Sequence, residues 1–414
     1  MLMTLDPFSP KKFEHSDKAS FEVVFKIQET CNINCKYCYM YNLGNDAFEQ
    51  MPVQQATRET WLGVADFMVR EFKRRDPKYV RLVLHGGEPM LVKARIARGH
   101  LDAFWQRLKE SVSPDQLQRI EFSLQTNAML ANDEWIELIK DWKMIVGVSI
   151  DGPKHINDKA RVDKRGRGTF DRVVAGYRRL LDAGIRTESG LGALCVIDPE
   201  ADGAEVYRYL VDELNFKGFN FLLPFMNWSN YDETAVRNVG RYLTAAFSEW
   251  KADVARGKVH DVRIFKEAMA ALVRPMSTAP FETLRIDHDV IVVECDGTIM
   301  TEESLRPTYT GTFSSLNVAE VSLLDIVEAP QFKQVERDSF ALSAECADCA
   351  LLKSCRSGQA LGRVGMRYSE GAEAVRKSVY CDAFIDLFVE VAAFLKTNNV
   401  ASYLDEVTQL ESVG

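Results

Sequence analysis

The sequence predicts an α/β fold: six strand–helix units, then a smaller region of different texture. Three observations carry this. Apolar, β-branched runs recur near residues 21–28, 79–84, 119–125, 144–150, 189–197 and 219–223. Stretches with apolar residues at helical spacing separate them. Glycine-rich or polar turns follow most of the runs. Such alternation argues for parallel strands joined by right-handed crossovers. Six units suit an open doubly wound sheet or an incomplete barrel, and periodicity leaves both open.

Taken in order, residues 1–20 read as an N-terminal arm, and the first strand leads into a cysteine-rich loop. A helix at 55–75 places Trp61, Val64, Ala65, Met68 and Phe72 on one face. The second strand ends in His85-Gly-Gly-Glu-Pro89, the third in Gln125-Thr-Asn127, and the fourth in Asp151-Gly-Pro153. Helices are expected at 93–111, 132–141, 169–183 and 203–214, with Gly184 placed to stop the third of these. The stretch 232–274 reads as helical and as the junction between domains. Beyond it, residues 289–294 run into Cys295-Asp-Gly297, a hairpin signal. A last helix at 382–396 carries Phe384, Leu387, Phe388, Val391 and Phe394. The domains expected are 21–230, a helical linker at 231–285, and 286–414.

Composition narrows the function. The chain has 414 residues, 46% hydrophobic and 27% charged, enough for one large domain and a smaller one. A net charge of −9 argues against a nucleic-acid or anionic-membrane binder. No apolar run approaches the roughly 20 residues of a membrane span. The first twenty residues lack the apolar core of a secretory signal, so a cytoplasmic location is expected. One basic stretch, Lys159 to Arg167, is either a solvated loop or borders an anionic ligand.

The nine cysteines are clustered, which favours metal or redox roles over disulfides. Cys31, Cys35 and Cys38 sit on a loop just past a strand's carboxyl end, the face of an alternating barrel where chemistry is placed. Three soft thiolates there suit an iron–sulfur cluster or zinc, although structural zinc usually takes four ligands in paired spacings. A four-iron cluster on three cysteines leaves one iron open. The second group is Cys346, Cys349, Cys355 and Cys381. Cys195 reads as a buried thiol in an apolar strand, and Cys295 as a thiol without cluster partners.

The first group, with Tyr37 just before its last cysteine, resembles the cluster loop of the radical S-adenosylmethionine superfamily. That resemblance implies a partial (β/α)6 barrel holding a [4Fe–4S] cluster on Cys31, Cys35 and Cys38, with S-adenosylmethionine on the open iron. Gly86, Gly87 and Glu88 match the motif for the cofactor's amino group. By the same resemblance Tyr37, Asn127, Ser149 and Arg161 line the cofactor pocket, with Arg161 set for the methionine carboxylate; a bidentate arginine suits that task. The second group resembles a SPASM extension. It implies a C-terminal iron–sulfur domain with one auxiliary [4Fe–4S] cluster on Cys346, Cys349, Cys355 and Cys381. Fuller versions carry a further cysteine where Gln359 stands, and more around the hairpin occupied here by Thr301-Glu-Glu303. Zinc on the same four thiols is the plainer alternative.

The combination resembles a subgroup of ribosomal-peptide maturases, to which Gly362 and Arg367-Tyr368 fit loosely. It implies a carbon–carbon crosslink, from an aromatic ring to a side-chain β-carbon, in a precursor peptide. Glu303 is then the expected base. An external electron donor of flavodoxin or ferredoxin type is the expected partner. Three rivals stand beside it: formylglycine-type sulfatase maturation, another radical peptide modification (thioether, ether or epimer), and a zinc-binding scaffold without activity.

Overall fold

The computed structural model describes residues 20–43, 53–185, 190–274, 290–300, 316–358, 362–363 and 376–404. Glu303, Thr301, Gln359 and Arg367-Tyr368 lie outside the described residues. The strands are β1 (Phe21–Gln28), β2 (Val80–Gly86), β3 (Ile120–Thr126), β4 (Ile145–Ser149), β5 (Leu191–Val196), β6 (Gly218–Leu222), β7 (Asp261–Val262), β8 (Val290–Val293) and β9 (Ile299–Met300). The helices are α1 (Arg58–Arg75), α2 (Ala94–Lys109), α3 (Pro114–Leu117), α4 (Asp133–Asp141), α5 (Lys154–Ala160), α6 (Phe170–Asp182), α7 (Gly203–Arg208), α8 (Glu233–Ala255), α9 (Arg263–Val273), α10 (Leu323–Glu328), α11 (Pro330–Phe340), α12 (Leu352–Cys355) and α13 (Cys381–Thr397). Contacts divide the described residues into two compact units, one taking those up to 194 with 290–336, the other 195–274 with 337–404.

In the first unit the strands lie in the order β5-β4-β3-β2-β1-β8-β9. All pair in parallel except β8 with β9. Each of the first five strands neighbours its successor with no reversal. A doubly wound sheet reverses at a switch point, so this is the winding of a barrel that stays open. β1 is buried along both faces at its carboxyl end, the state of a central parallel strand. The predicted face of α1 is buried, and Trp61 meets Phe25 edge-on at 4.9 Å between ring centres.

Three expectations change. Residues 290–300 do form the hairpin, but β8 pairs in parallel with β1, which puts the described residues of 290–336 in the first unit. The stretch 232–274 is not continuous helix. α8 ends at Ala255, two residues before Gly257, whose φ of +76° favours glycine, and β7 then pairs with β6 before α9 begins. The basic stretch Lys159 to Arg167, read as a loop, instead ends α5 and continues into a small hairpin closed by a Val162–Gly168 bridge.

The second unit packs Tyr242, Phe247, Trp250, Phe265 and Phe394 of α8, α9 and α13 as an aromatic core around Phe221 of β6. Cys195 is fully buried there, as its apolar strand foretells. Among the described residues no helix is long and apolar enough to cross a membrane.

Candidate functional site

The cysteine loop leaves β1 and is fastened at once to the turn after β2. The N–H of Gly87 donates to the carbonyl of Gln28 at 2.8 Å, and that of Glu88 to Thr30 at 3.0 Å. Gly86 has a φ of +133°, and a Cβ there would strike the Gln28 carbonyl. A Cβ on Gly87 would strike Tyr41 Oη and the carbonyls of Thr30 and Glu29. Both glycines are therefore required simply for the two loops to touch.

Glu88 is 1% exposed and its carboxylate is well supplied with donors. It accepts from the N–H of Met90 (3.0 Å), the hydroxyl of Thr126 (2.7 Å) and the N–H of Asn127 (2.8 Å). Burial still pushes its carboxyl above the ordinary range. A carboxylate has about four acceptor positions, so one remains for a ligand. Asn127 continues the chain of contacts: its Nδ2 donates to Asn32 Oδ1 at 2.7 Å, within the cysteine loop. Ser149 accepts from Gln125 Nε2 at 2.9 Å.

The far side of the loop is held by the segment after α5. Ile33 bridges Asp163, Asn34 N–H donates to the Val162 carbonyl at 2.7 Å, and Lys36 N–H to Ala160 at 2.9 Å. Side chains add a triad: Tyr37 Oη donates to Asp151 Oδ2 at 2.6 Å and accepts from Arg161 Nη1 at 2.8 Å. Asp151 and Arg161 are 4% and 5% exposed, so this is a desolvated network in which each partner satisfies another. Arg161 Nε is buried without a hydrogen-bond partner among the described residues. The sequence names Tyr37 and Arg161 but gives no sign that Asp151 joins them. Asp163 carries no such signal either, because a lone aspartate in a basic stretch reads as a counter-charge.

The donor set suits a metal cluster. Burial pushes the thiols of Cys31 and Cys38 up to about 12 and about 11, and the cysteines' mutual repulsion adds to it. Cys35 is also raised by burial, offset by the nearby Arg161. Three thiols lie within each other's field, Cys35 buried and Cys31 and Cys38 half-buried, and coordination to a cation deprotonates a thiol outright. Among the described residues no three metal-binding side chains converge on a single-ion site. A four-iron cluster binds each thiolate to a different iron, so such convergence is not needed.

The second group assembles in the second unit. Cys355 is raised to about 12 by burial and then by Cys381, Cys346 and Cys349, so the four thiols share one neighbourhood. Cys381 opens α13, and burial raises its thiol, partly offset by the nearby Lys377. Arg356 and Ser357 follow Cys355 with φ of +47° and +66°, a local strain. It is held by Ser357 Oγ accepting from the Ser343 N–H at 3.1 Å. Arg363, 1% exposed, donates to the carbonyls of Arg376, Ser339 and Ala341 and ties down the chain around the group. Cys295 lies in the first unit, fully buried, its thiol donating to the Lys26 carbonyl at 3.1 Å.

Residues 25–210, which include the cysteine loop, the Gly86-Gly-Glu-Pro89 turn and the triad, match the Radical SAM superfamily. Residues 25–210 carry a radical SAM domain. Over 394 residues, 90% of this chain and 95% of the relative, the chain is 23% identical to a cysteine-type anaerobic sulfatase-maturating enzyme of Clostridium perfringens (strain 13 / Type A). It is 26% identical over 373 residues to a serine-type anaerobic sulfatase-maturating enzyme of Klebsiella pneumoniae, covering 84% of each chain. The fold matches native anSMEcpe with bound AdoMet, at a TM-score of 0.74 and 20% identity, over 92% of this chain and 99% of that one. The same protein with AdoMet and the Cp18Cys peptide gives 0.73, again over 92% and 99%, at 20% identity.

Proposed function

We propose that this radical SAM enzyme oxidises a side chain of a protein or peptide substrate, in the manner of its sulfatase-maturating relatives. The single observation carrying this is the extent of the likeness. It runs through the barrel and on into the second cysteine group, over 90% of the chain. The crosslink expected from the sequence has less support, because the relatives matched over most of the chain are sulfatase-maturating enzymes.

In this reading Cys31, Cys35 and Cys38 hold a [4Fe–4S] cluster. Bound together, cluster and S-adenosylmethionine supply a 5′-deoxyadenosyl radical able to abstract hydrogen from an unactivated carbon. The chain's own residues bind and orient. The carbonyls of the Gly86–Gly87 turn and the spare acceptor position of Glu88 take the cofactor's ammonium. Arg161, with its buried Nε lacking a partner, takes the carboxylate. Asn127 and Ser149 line the cofactor pocket. Cys346, Cys349, Cys355 and Cys381 would hold an auxiliary cluster, which when bound would supply a one-electron acceptor, and Glu303 would accept the proton.

A second reading is favoured by one feature: Gln359 and Thr301-Glu-Glu303 stand where fuller cysteine sets carry thiols. It is the aromatic-to-β-carbon crosslink. Co-expression with a sulfatase-type Cys or Ser peptide, and with a precursor encoded beside the enzyme, separates the two. Formylglycine reacts with a hydrazide probe. A crosslink does not, and instead blocks fragmentation between the joined residues. No reaction with either peptide, or a product of unchanged mass, would reject both oxidations.

A further inference from the structure

The small hairpin after α5 has a construction that cofactor binding does not explain. Asp163 builds it: Oδ1 accepts from the N–H groups of Arg165 (2.9 Å) and Arg167 (3.0 Å). Oδ2 accepts from Arg167 (2.8 Å) and Arg172 (3.0 Å). These bonds hold the Asp163 carboxyl well below the usual carboxylate range. Gly166 makes the turn with a φ of +75°. The base of the hairpin is bonded to Ile33, Asn34 and Lys36, between and beside two of the cluster-loop cysteines. Lys164, Arg165 and Lys36 are all exposed. The single charge of Asp163 offsets one of its two arginine partners, so the hairpin keeps one positive charge from Arg167 and Arg172 besides those of Lys164 and Arg165 at its tip. A rigid, positively charged edge thus stands against the cysteine loop on a chain whose net charge is −9.

We propose that Lys36, Lys164 and Arg165 form the docking surface for an acidic one-electron carrier protein that reduces the cluster on Cys31, Cys35 and Cys38. The proposal rests on the cluster assigned above. One electron leaves the reduced carrier, which is oxidised by one, and enters the cluster, which is reduced by one; no proton or bond changes hands. The chain as a whole repels an acidic protein, and a local cationic edge focuses approach onto the one place where the transferred electron is used. Anchoring that edge to the loop by backbone bonds keeps the docked carrier at a fixed distance from the acceptor.

The test is the rate of cluster reduction, followed by visible absorbance, in the reconstituted full chain and in a Lys164→Glu/Arg165→Glu variant. The reductants are a flavodoxin hydroquinone and photoreduced 5-deazariboflavin, a small uncharged reductant. We expect the variant to be reduced by flavodoxin about tenfold or more slowly at low salt, the difference shrinking as salt rises. We expect the deazariboflavin rate to be unchanged and flavodoxin binding, measured by calorimetry, to weaken in parallel. Equal flavodoxin rates in the two proteins would overturn the docking assignment. So would equal slowing with both reductants, which would make the hairpin a support for the cluster alone. So would unchanged reduction with a raised KM for peptide, which would give the edge to the substrate. Iron and sulfide analysis of the wild-type chain is read first: absence of a cluster there removes the function proposed above and this inference with it.

Discussion

Tyr37 and Asp151 are joined by a 2.6 Å hydrogen bond across 114 residues of sequence, with Arg161 donating to the same hydroxyl. Tyr37→Phe leaves a buried carboxylate and a buried guanidinium without the group they share. The expected cost is about 1–3 kcal/mol of stability, that of unsatisfied buried polar groups. Urea unfolding of the two proteins side by side checks it, and an unchanged midpoint would show the triad to be energetically idle.

Arg161→Lys keeps the charge but loses the planar fork. If Nε awaits a carboxylate, S-adenosylmethionine binding should weaken by about tenfold, near 1.4 kcal/mol. Equilibrium dialysis of the cluster-loaded protein measures it. The cluster itself, followed by its absorbance, should load as in the wild type.

The hairpin should respond to acid through Asp163. Its carboxyl is lowered on folding, first by the bonds from Arg167, so its stabilising contribution is present above the unfolded value of about 3.9 and is lost as pH falls below that. Hydrogen exchange at the N–H groups of Arg165 and Arg167, corrected for the intrinsic pH effect, should quicken on acidification through that range. In Asp163→Asn the same amides should be faster already at neutral pH and insensitive to the change. Protection that persists in the variant would rule out Asp163 as the organiser.

The second cysteine group offers a count. Cys355→Ala should remove the auxiliary cluster and about half of the bound iron, some four of eight atoms, while S-adenosylmethionine cleavage without peptide persists. Retained full iron would place the second cluster elsewhere, and zinc at about one atom per chain would replace it with a structural site.

Much of this was legible in the sequence because it rests on local pattern. The spacing of Cys31, Cys35 and Cys38, the paired glycines one strand later and the buried face of α1 follow from neighbours in the chain. The choice of an open barrel over a doubly wound sheet was not legible, because strand order is a long-range property. β8 settled beside β1 for the same reason: Val290–Val293 is apolar enough to pair with any edge, and only the assembled sheet says which. The hairpin at 162–168 was hidden by its charges. Its order comes from one aspartate collecting backbone donors, and composition records that carboxylate only as a counter-charge. Glu88 was expected to hold a ligand, and the three donors that hold Glu88 itself could not be foreseen.

The cysteine loop is short, yet almost nothing that shapes it is nearby in the chain. Its thiols span residues 31–38, while the backbone that pins it lies at 160–163. At a synthesis rate of about 5–20 residues per second, those thiols wait on the order of ten seconds on the ribosome before their splint emerges. During that interval the loop is a flexible run of thiols, open to any soft metal and to oxidation. A fragment ending before residue 150 would carry all three cysteines without the backbone at 160–163 that pins their loop.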